Sequence, residues 1–175
     1  MPGRNKFLFD SDVLITAKNL HYPPAVVPEF WDWIEAGHKA GYFYSIDKVK
    51  KELLNGGQSD PLYSWAQKSS LNTYFLDSKP AAAKWRELSA WATDPARPYL
   101  PAAQAKFLDA ESADAWLVAY AAMAGDYTIM TNEVAAPESK HTIKIPDAAL
   151  ALGVMTIKLP GLFAVHAAAH FKFKP

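Results

Sequence analysis

The chain has 175 residues, half of them hydrophobic, with 18 Lys and Arg balancing 18 Asp and Glu and no cysteine. At roughly 150 residues per domain this length predicts one domain over residues 1–175, and the apolar content excludes disorder as the main state. Zero net charge excludes a global basic field, and the lack of cysteine excludes disulfide scaffolds, thiolate metal sites and cysteine nucleophiles.

No targeting or membrane-spanning segment is predicted. The apolar run at residues 7–9, after the charged start, is too short for a signal peptide. The longest apolar stretch, around residues 116–125, is well below the ~20 residues of a membrane span. We therefore expect an intracellular, cytoplasmic protein.

In the first third of the chain, short apolar runs alternate with helical patterns. Residues 7–9 are continuously apolar, which predicts a central strand buried on both faces. Further predictions are a helix over 13–19, a helix over 28–36 stopped by Gly37, a strand over 42–44, and a helix over 46–54 capped by Ser45 and ended by Gly56 and Gly57.

The middle of the chain, residues 57–108, is predicted to be a helical elaboration of the core. Its pattern predicts a short helix starting at Asp60-Pro61, a strand over 74–76, a helix over 79–93 and a proline-rich loop over 94–101. Exposed Trp65, Trp85 and Trp91 are one candidate partner surface, with ordinary packing as the alternative.

The strongest helix pattern covers residues 112–124, where one apolar stripe repeats at helical spacing and Gly125 closes the helix. A strand over 127–131, a helix over 146–152, a strand over 154–157 and a helix over 161–171 follow. His166 and His170 in the last of these are expected to be exposed. Strands alternating with helices predict an α/β fold, a parallel sheet with helices on both faces.

Acidic residues stand where such a fold places its ligands, at the carboxyl ends of strands. Asp10 follows the first strand and Glu133 follows the strand over 127–131, while Glu52 and Asp114 lie on helices that can reach the same edge. Converging carboxylates repel one another, so a divalent cation is the simplest counter-charge. Oxygen-only ligands predict Mg²⁺ or Mn²⁺ rather than zinc or copper.

The four acidic segments, in this order, resemble the motifs of PIN domains. The segments are FLFDSDVLI at residues 7–15, IDKVKKEL at 46–53, ADAWLVAYA at 113–121 and IMTNE at 129–133. The chain is similar to the PIN-like toxin ribonucleases of toxin–antitoxin modules, the VapC-like group. It departs from them in having Asp12 where Asn or Ser is commoner, and Glu133 where Asp is commoner.

This resemblance implies a three-layer α/β/α sandwich and an Mg²⁺- or Mn²⁺-dependent endoribonuclease that is inhibited by an antitoxin protein. It also implies that Asp10, Glu52, Asp114 and Glu133 are the catalytic, metal-binding acids, and that the Thr131 hydroxyl holds the loop or a metal-bound water. Beyond the motifs, we expect Lys140 and Lys144 to contact RNA phosphates. A homodimer is an open alternative.

Each of these acids also has a purely structural alternative. Asp10 or Asp12 can cap the following helix, with Asp12 otherwise supporting the metal ligands from behind. Glu52 can form an exposed i,i+4 pair with Lys48. A first-turn acid such as Asp114 suits the helix dipole, and Glu133 can be a solvated loop residue.

Two other functions compete with the ribonuclease. Asp10, Asp12 and Thr131 also resemble the motifs of haloacid-dehalogenase-type phosphatases, in which Asp10 would be the nucleophile and Asp12 the acid/base. In that enzyme Glu52 would have no role. The second alternative is a non-catalytic PIN-like module that binds a partner.

Overall fold

The protein is built around a five-stranded parallel sheet with the strand order β3-β2-β1-β4-β5. The computed structural model describes residues 5–175, so the charged start of the chain used in the targeting argument lies largely outside it. The strands are β1 (Lys6–Phe9), β2 (Phe43–Ile46), β3 (Phe75–Leu76), β4 (Tyr127–Met130) and β5 (Thr156–Ile157).

Helices cover both faces of this sheet. They are α1 (Ser11–Thr16), α2 (Pro28–Lys39), α3 (Asp47–Leu54), α4 (Pro61–Ala66), α5 (Ala82–Ala92), α6 (Pro101–Phe107), α7 (Ala113–Ala124), α8 (Ile145–Ala151) and α9 (Leu159–His166). Helices α3, α5 and α8 pack against α7 in one layer, while α2 and α9 meet through Trp33 and Phe163 in the other. The predicted α/β class, a three-layer α/β/α sandwich, is confirmed.

Strand β1 lies at the centre, between β2 and β4. Leu8 lies opposite Tyr44 of β2 and Ile129 of β4. Leu8 and Phe9 are fully buried, as expected for a strand with neighbours on both sides and helices on both faces. The apolar run at residues 7–9 was therefore a sufficient signal for the central strand.

Helix α1 starts earlier than its apolar pattern predicts and is continued by a π-helix. It begins at Ser11, directly after Asp10, and residues Ala17–His21 continue it as a π-helix. The wider turn is closed by a backbone hydrogen bond from Tyr22 N to Ala17 O of 2.6 Å. Such segments are rare and often occur at functional sites.

Two local signals in the first third of the chain were misleading. Gly37 does not stop α2, which continues to Lys39; a Cβ on Gly37 would lie 2.1 Å from Phe43 Cδ2, so the glycine serves the close approach of helix and strand. Ser45 does not cap α3. It lies in β2, and its hydroxyl donates to the carbonyl of Phe9 at 2.7 Å.

The chain end differs most from its prediction. The predicted helix over 161–171 stops at His166, and a short hairpin of β6 (Ala167–Ala168) and β7 (Lys172–Phe173) follows. His166 is buried, contrary to the expectation of exposure, and its ring stacks on Phe173. His170 is exposed, as expected. The other aromatic contacts of His166, with Phe7, Tyr42 and Phe43, come from distant segments, which a helical pattern cannot reveal.

Residues 57–108 contribute both helices and the edge strand β3. The three tryptophans of this region do not form an exposed surface. Trp65 is buried, Trp85 stacks on Trp116 of α7, and Trp91 contacts Tyr99 edge-on. The packing alternative is therefore correct. No helix within residues 5–175 is both long enough and apolar enough to cross a membrane.

Candidate active site at the carboxyl edge of the sheet

The register of the two central strands brings the first two polar residues together. Phe9 of β1 lies opposite Met130 of β4, so Asp10 and Thr131, each one residue further on, are neighbours at the carboxyl edge. The Thr131 hydroxyl donates to Asp10 Oδ2 at 3.0 Å and accepts the N–H of Glu133 at 3.2 Å. Thr131 therefore connects the carboxylate of β1 to the loop after β4.

An open cavity at this edge collects acids from several segments. Its lining residues are Asp10, Ser11, Asp12, Asp114, Asn132, Glu133 and Lys144. Three of the four predicted catalytic acids thus face one space. Asp114 reaches it from the first turn of α7, and its carboxylate accepts no hydrogen bond from any residue in the described range 5–175.

Glu52 lies beside this cavity and holds three elements together. Its Oε2 accepts the Ser11 hydroxyl at 2.5 Å, and its Oε1 accepts the N–H of Ala113 at 2.9 Å. Ser112, the N-cap residue of α7, makes no side-chain capping bond, so Glu52 satisfies a free N–H of that helix from α3. The alternative pair with Lys48 does not form, because Lys48 pairs with Glu111 at 3.5 Å.

Both oxygens of Glu133 are occupied by neighbours from one segment. Oε1 accepts from Lys144 Nζ at 3.0 Å, and Oε2 accepts the N–H of Ile145 at 2.6 Å. Ile145 is the first residue of α8. Glu133 is thus a helix-anchoring, ion-paired residue rather than a freely solvated one.

The remaining predicted site residues differ in their distance from the acids. Asp12 is exposed in the first turn of α1, where it accepts the Thr16 hydroxyl at 3.3 Å. Neither Asp10 nor Asp12 makes the side-chain cap of α1. Lys144 lines the acidic cavity. Lys140 does not line it and is exposed, with its backbone carbonyl accepting from Leu100.

Burial and mutual repulsion raise the pKa values of two of the acids. The pKa of Asp10 is raised to about 8, first by burial and then by the charge of Asp114; the hydrogen bond from Thr131 opposes this. The pKa of Asp114 is raised to about 6 by burial and by the charges of Glu133 and Glu52, against Lys106 and Lys144. The site therefore holds more carboxylate than its cations can neutralise.

The donors suit a hard divalent cation, although they are not gathered around one point. No group of three or more His, Asp or Glu side chains within residues 5–175 is placed to hold one ion. The carboxylate oxygens of Glu52 and Glu133 accept hydrogen bonds from other parts of the protein. Asp10 and Asp114 remain the available ligands, and excess carboxylate charge is what Mg²⁺ or Mn²⁺ neutralises.

Lys106 is a site residue that the sequence did not reveal. A second cavity adjoins the first and shares Asp114, Glu133 and Lys144 with it; Lys106 of α6, His141 and Thr142 also line this second cavity. The position of Lys106 follows from the folding of residues 57–108 beside α7. Its flanking sequence, Ala105 and Phe107, carries no signal of a site.

Comparisons with known proteins identify the chain at the level of a family. Searches of curated proteins and of solved structures each found no match. A family model described as a domain of unknown function, DUF4411, matches residues 7–170, which include all four acidic segments. The chain therefore belongs to the DUF4411 family.

Proposed function

We propose that the protein is a divalent-cation-dependent endoribonuclease. The observation that carries this proposal is the shared cavity of Asp10, Asp114 and Glu133 at the carboxyl edge of the sheet. The raised pKa values of Asp10 and Asp114 support it, because they mark a site with an unmet need for positive charge. Glu52 belongs to the same constellation through Ser11 and Ala113.

The residues present assign distinct roles within such an enzyme. Asp10 and Asp114 would hold the ion, and Glu133 would join them by giving up its bond with Lys144. When bound, Mg²⁺ or Mn²⁺ supplies the positive charge that stabilises the attacking and leaving oxygens of a phosphodiester. Thr131 orients Asp10, and Lys144, once released from Glu133, lies in the same cavity to bind a phosphate oxygen.

RNA as substrate and an antitoxin as partner rest on the resemblance to PIN-like toxins. The support from the structure is that the four acids quoted for that resemblance come from four separate segments and lie at one edge of the sheet. A cytoplasmic protein held inactive by an antitoxin is the corresponding proposal for its cellular setting. The proposal also includes the assembly of two copies of the chain into a homodimer.

A phosphatase is the second candidate, and one observation favours it. Thr131 donates to Asp10, and Asp12 lines the same cavity, as a haloacid-dehalogenase-type arrangement would require. The ribonuclease accounts for more of the site, because Glu52 has no role in the phosphatase. In addition, the raised pKa of Asp10 leaves it largely protonated near neutral pH, which disfavours it as a nucleophile in the absence of a cation.

Cleavage of a mixed single-stranded RNA in the presence of Mg²⁺ or Mn²⁺ tests the proposal. We expect cleavage by the wild type, and its loss with a chelator or in Asp10→Asn and Asp114→Asn. The control is Asp32→Asn, which changes an exposed aspartate on α2 in the other helical layer.

Two results would redirect the assignment. Intact RNA together with hydrolysis of a small phosphomonoester through a covalent Asp10 intermediate would establish the phosphatase. A folded protein that does neither would be a binding module.

A further inference from the structure

A cavity lined by residues of α1 and α9 adjoins the acidic site. It has a volume of about 460 Å³ and is lined by Asp12, Val13, Thr16, Ala17, His21, Tyr22, Asn132, Leu159, Pro160 and Phe163. Asp12 and Asn132 also line the acidic cavity, so the two cavities are neighbours. The proposed ribonuclease chemistry assigns no role to this cavity.

The lining combines apolar and aromatic side chains with polar ones. Val13 and Leu159 are buried aliphatic residues, and Tyr22 and Phe163 add aromatic rings in edge-on contact, with centroids 6.1 Å apart. Asn132 contributes an amide that can both donate and accept hydrogen bonds. Apolar and aromatic walls with placed polar groups are typical of sites for small ligands.

The π-helix holds the aromatic part of this cavity in place. His21 is the last residue of the π-helix, and Tyr22 follows it. The Tyr22 ring stacks on Phe30 with 4.4 Å between centroids, and its carbonyl accepts the indole N–H of Trp31 at 2.8 Å. The cavity wall is therefore built before any ligand arrives, which lowers the cost of binding.

We infer that this cavity binds an unpaired nucleobase of the RNA next to the bond that is cleaved. The inference rests on the proposed function and adds a substrate feature to it, a single-stranded segment whose base leaves the stack. Proteins recognise single-stranded RNA by taking up such bases against aromatic side chains and reading their edges with amide and hydroxyl groups. Because Asp12 and Asn132 line both cavities, a base bound here lies next to the acidic site.

An apolar side chain of a protein is the alternative occupant, and the chemistry favours a base. An apolar side chain offers no hydrogen bond to the Asn132 amide or the His21 ring, whereas a base can bond to both with its ring nitrogens and exocyclic groups.

The test uses the binding of short single-stranded RNA to the full chain carrying Asp10→Asn, which prevents cleavage. RNAs that carry one abasic nucleotide at successive positions are compared with the intact RNA. We expect one position at which loss of the base weakens binding about tenfold, the order of magnitude of one base–aromatic stack. In a background with Thr16→Phe, which fills the cavity, intact and abasic RNA should bind equally.

Two controls separate cavity filling from other effects. Thr16→Val removes the hydrogen bond to Asp12 without adding volume. Thr73→Phe makes the same change in a separate cavity, lined also by Glu35 and His38. If Thr16→Phe does not fold, Thr16→Leu fills less of the space and takes its place.

The outcomes distinguish this inference from the proposed function. Equal binding of all abasic RNAs by the Asp10→Asn protein, with RNA cleavage by the wild type intact, would overturn the base site and leave the ribonuclease. An abasic effect that survives Thr16→Phe would also overturn it, because the base would then bind elsewhere. Absence of RNA cleavage by the wild type with either metal would instead refute the proposed function itself.

Discussion

Replacing Asp10 by asparagine is expected to stabilise the metal-free protein and to remove much of its dependence on pH. Asp10 is only 2% exposed and lies beside Asp114. Asparagine has nearly the same shape, and its carbonyl can still accept the Thr131 hydroxyl. It carries no charge at any pH, so it avoids the cost of a buried carboxylate.

The expected size follows from the pKa of Asp10, which is about 8 in the folded protein against an ordinary 3.8. Between these values the folded chain binds more protons than the unfolded chain, so stability falls as pH rises. The contribution of Asp10 to the free energy of unfolding is complete below pH 4 and is lost as the pH approaches 8. One pKa unit corresponds to about 1.4 kcal/mol, so the wild type should lose about 3 kcal/mol relative to Asp10→Asn between pH 5 and pH 7.

Urea unfolding in the presence of chelator, followed by circular dichroism at pH 5, 6 and 7, measures this difference. Subtracting the curve of Asp10→Asn removes the titration of groups that both proteins share. The reasoning would be refuted if the difference in free energy of unfolding between the two proteins did not change with pH. It would also be refuted if that difference grew in favour of the wild type as pH rises. Added Mg²⁺ should stabilise the wild type more than the variant, because a ligand stabilises the state that binds it.

Three further predictions concern the contacts around the site and the core. Glu52→Ala should cost about 1–3 kcal/mol in urea unfolding, because it leaves the Ala113 N–H and the Ser11 hydroxyl without their acceptor; a loss no larger than that of Glu111→Ala, at the surface, would contradict the proposed anchoring. Gly37→Ala should lower stability by about 1–3 kcal/mol, because its Cβ would overlap the Phe43 ring; an unchanged thermal midpoint would show that the ring moves freely. Lys144→Met should raise the pKa of Asp114 above about 6 by removing a nearby positive charge, which carboxyl NMR titration measures; an unchanged or lower value would refute this electrostatic role.

Several features of the fold follow from local sequence because neighbouring residues alone determine them. The apolar run of β1, the β-branched and apolar run of β4 and the stripe of α7 each match the structure to within a few residues. Gly125 ends α7 with a φ of +78°, a conformation that costs glycine little. Alternation of strands and helices was enough to predict a parallel sheet, because parallel strands need crossover connections.

The acids at the edge of the sheet were predictable for the same reason, whereas their contacts were not. The end of a strand is a local feature, and the ends of parallel strands share an edge. The hydrogen-bond partners of Glu52 lie 41 and 61 positions away in the chain, and no periodicity relates them. Its role as an anchor of α7 therefore became visible only in three dimensions.

What the sequence determined by itself is the class of fold, the order of its main elements and the set of acids at one edge. The tertiary structure decided the roles of Gly37 and Ser45, the burial of His166, and the presence of Lys106 beside Asp114. Each of these depends on a contact with a distant segment, such as a ring against a helix or a hydroxyl against another strand. Local propensity acts over a few residues, so contacts between distant segments are decided only when the chain folds.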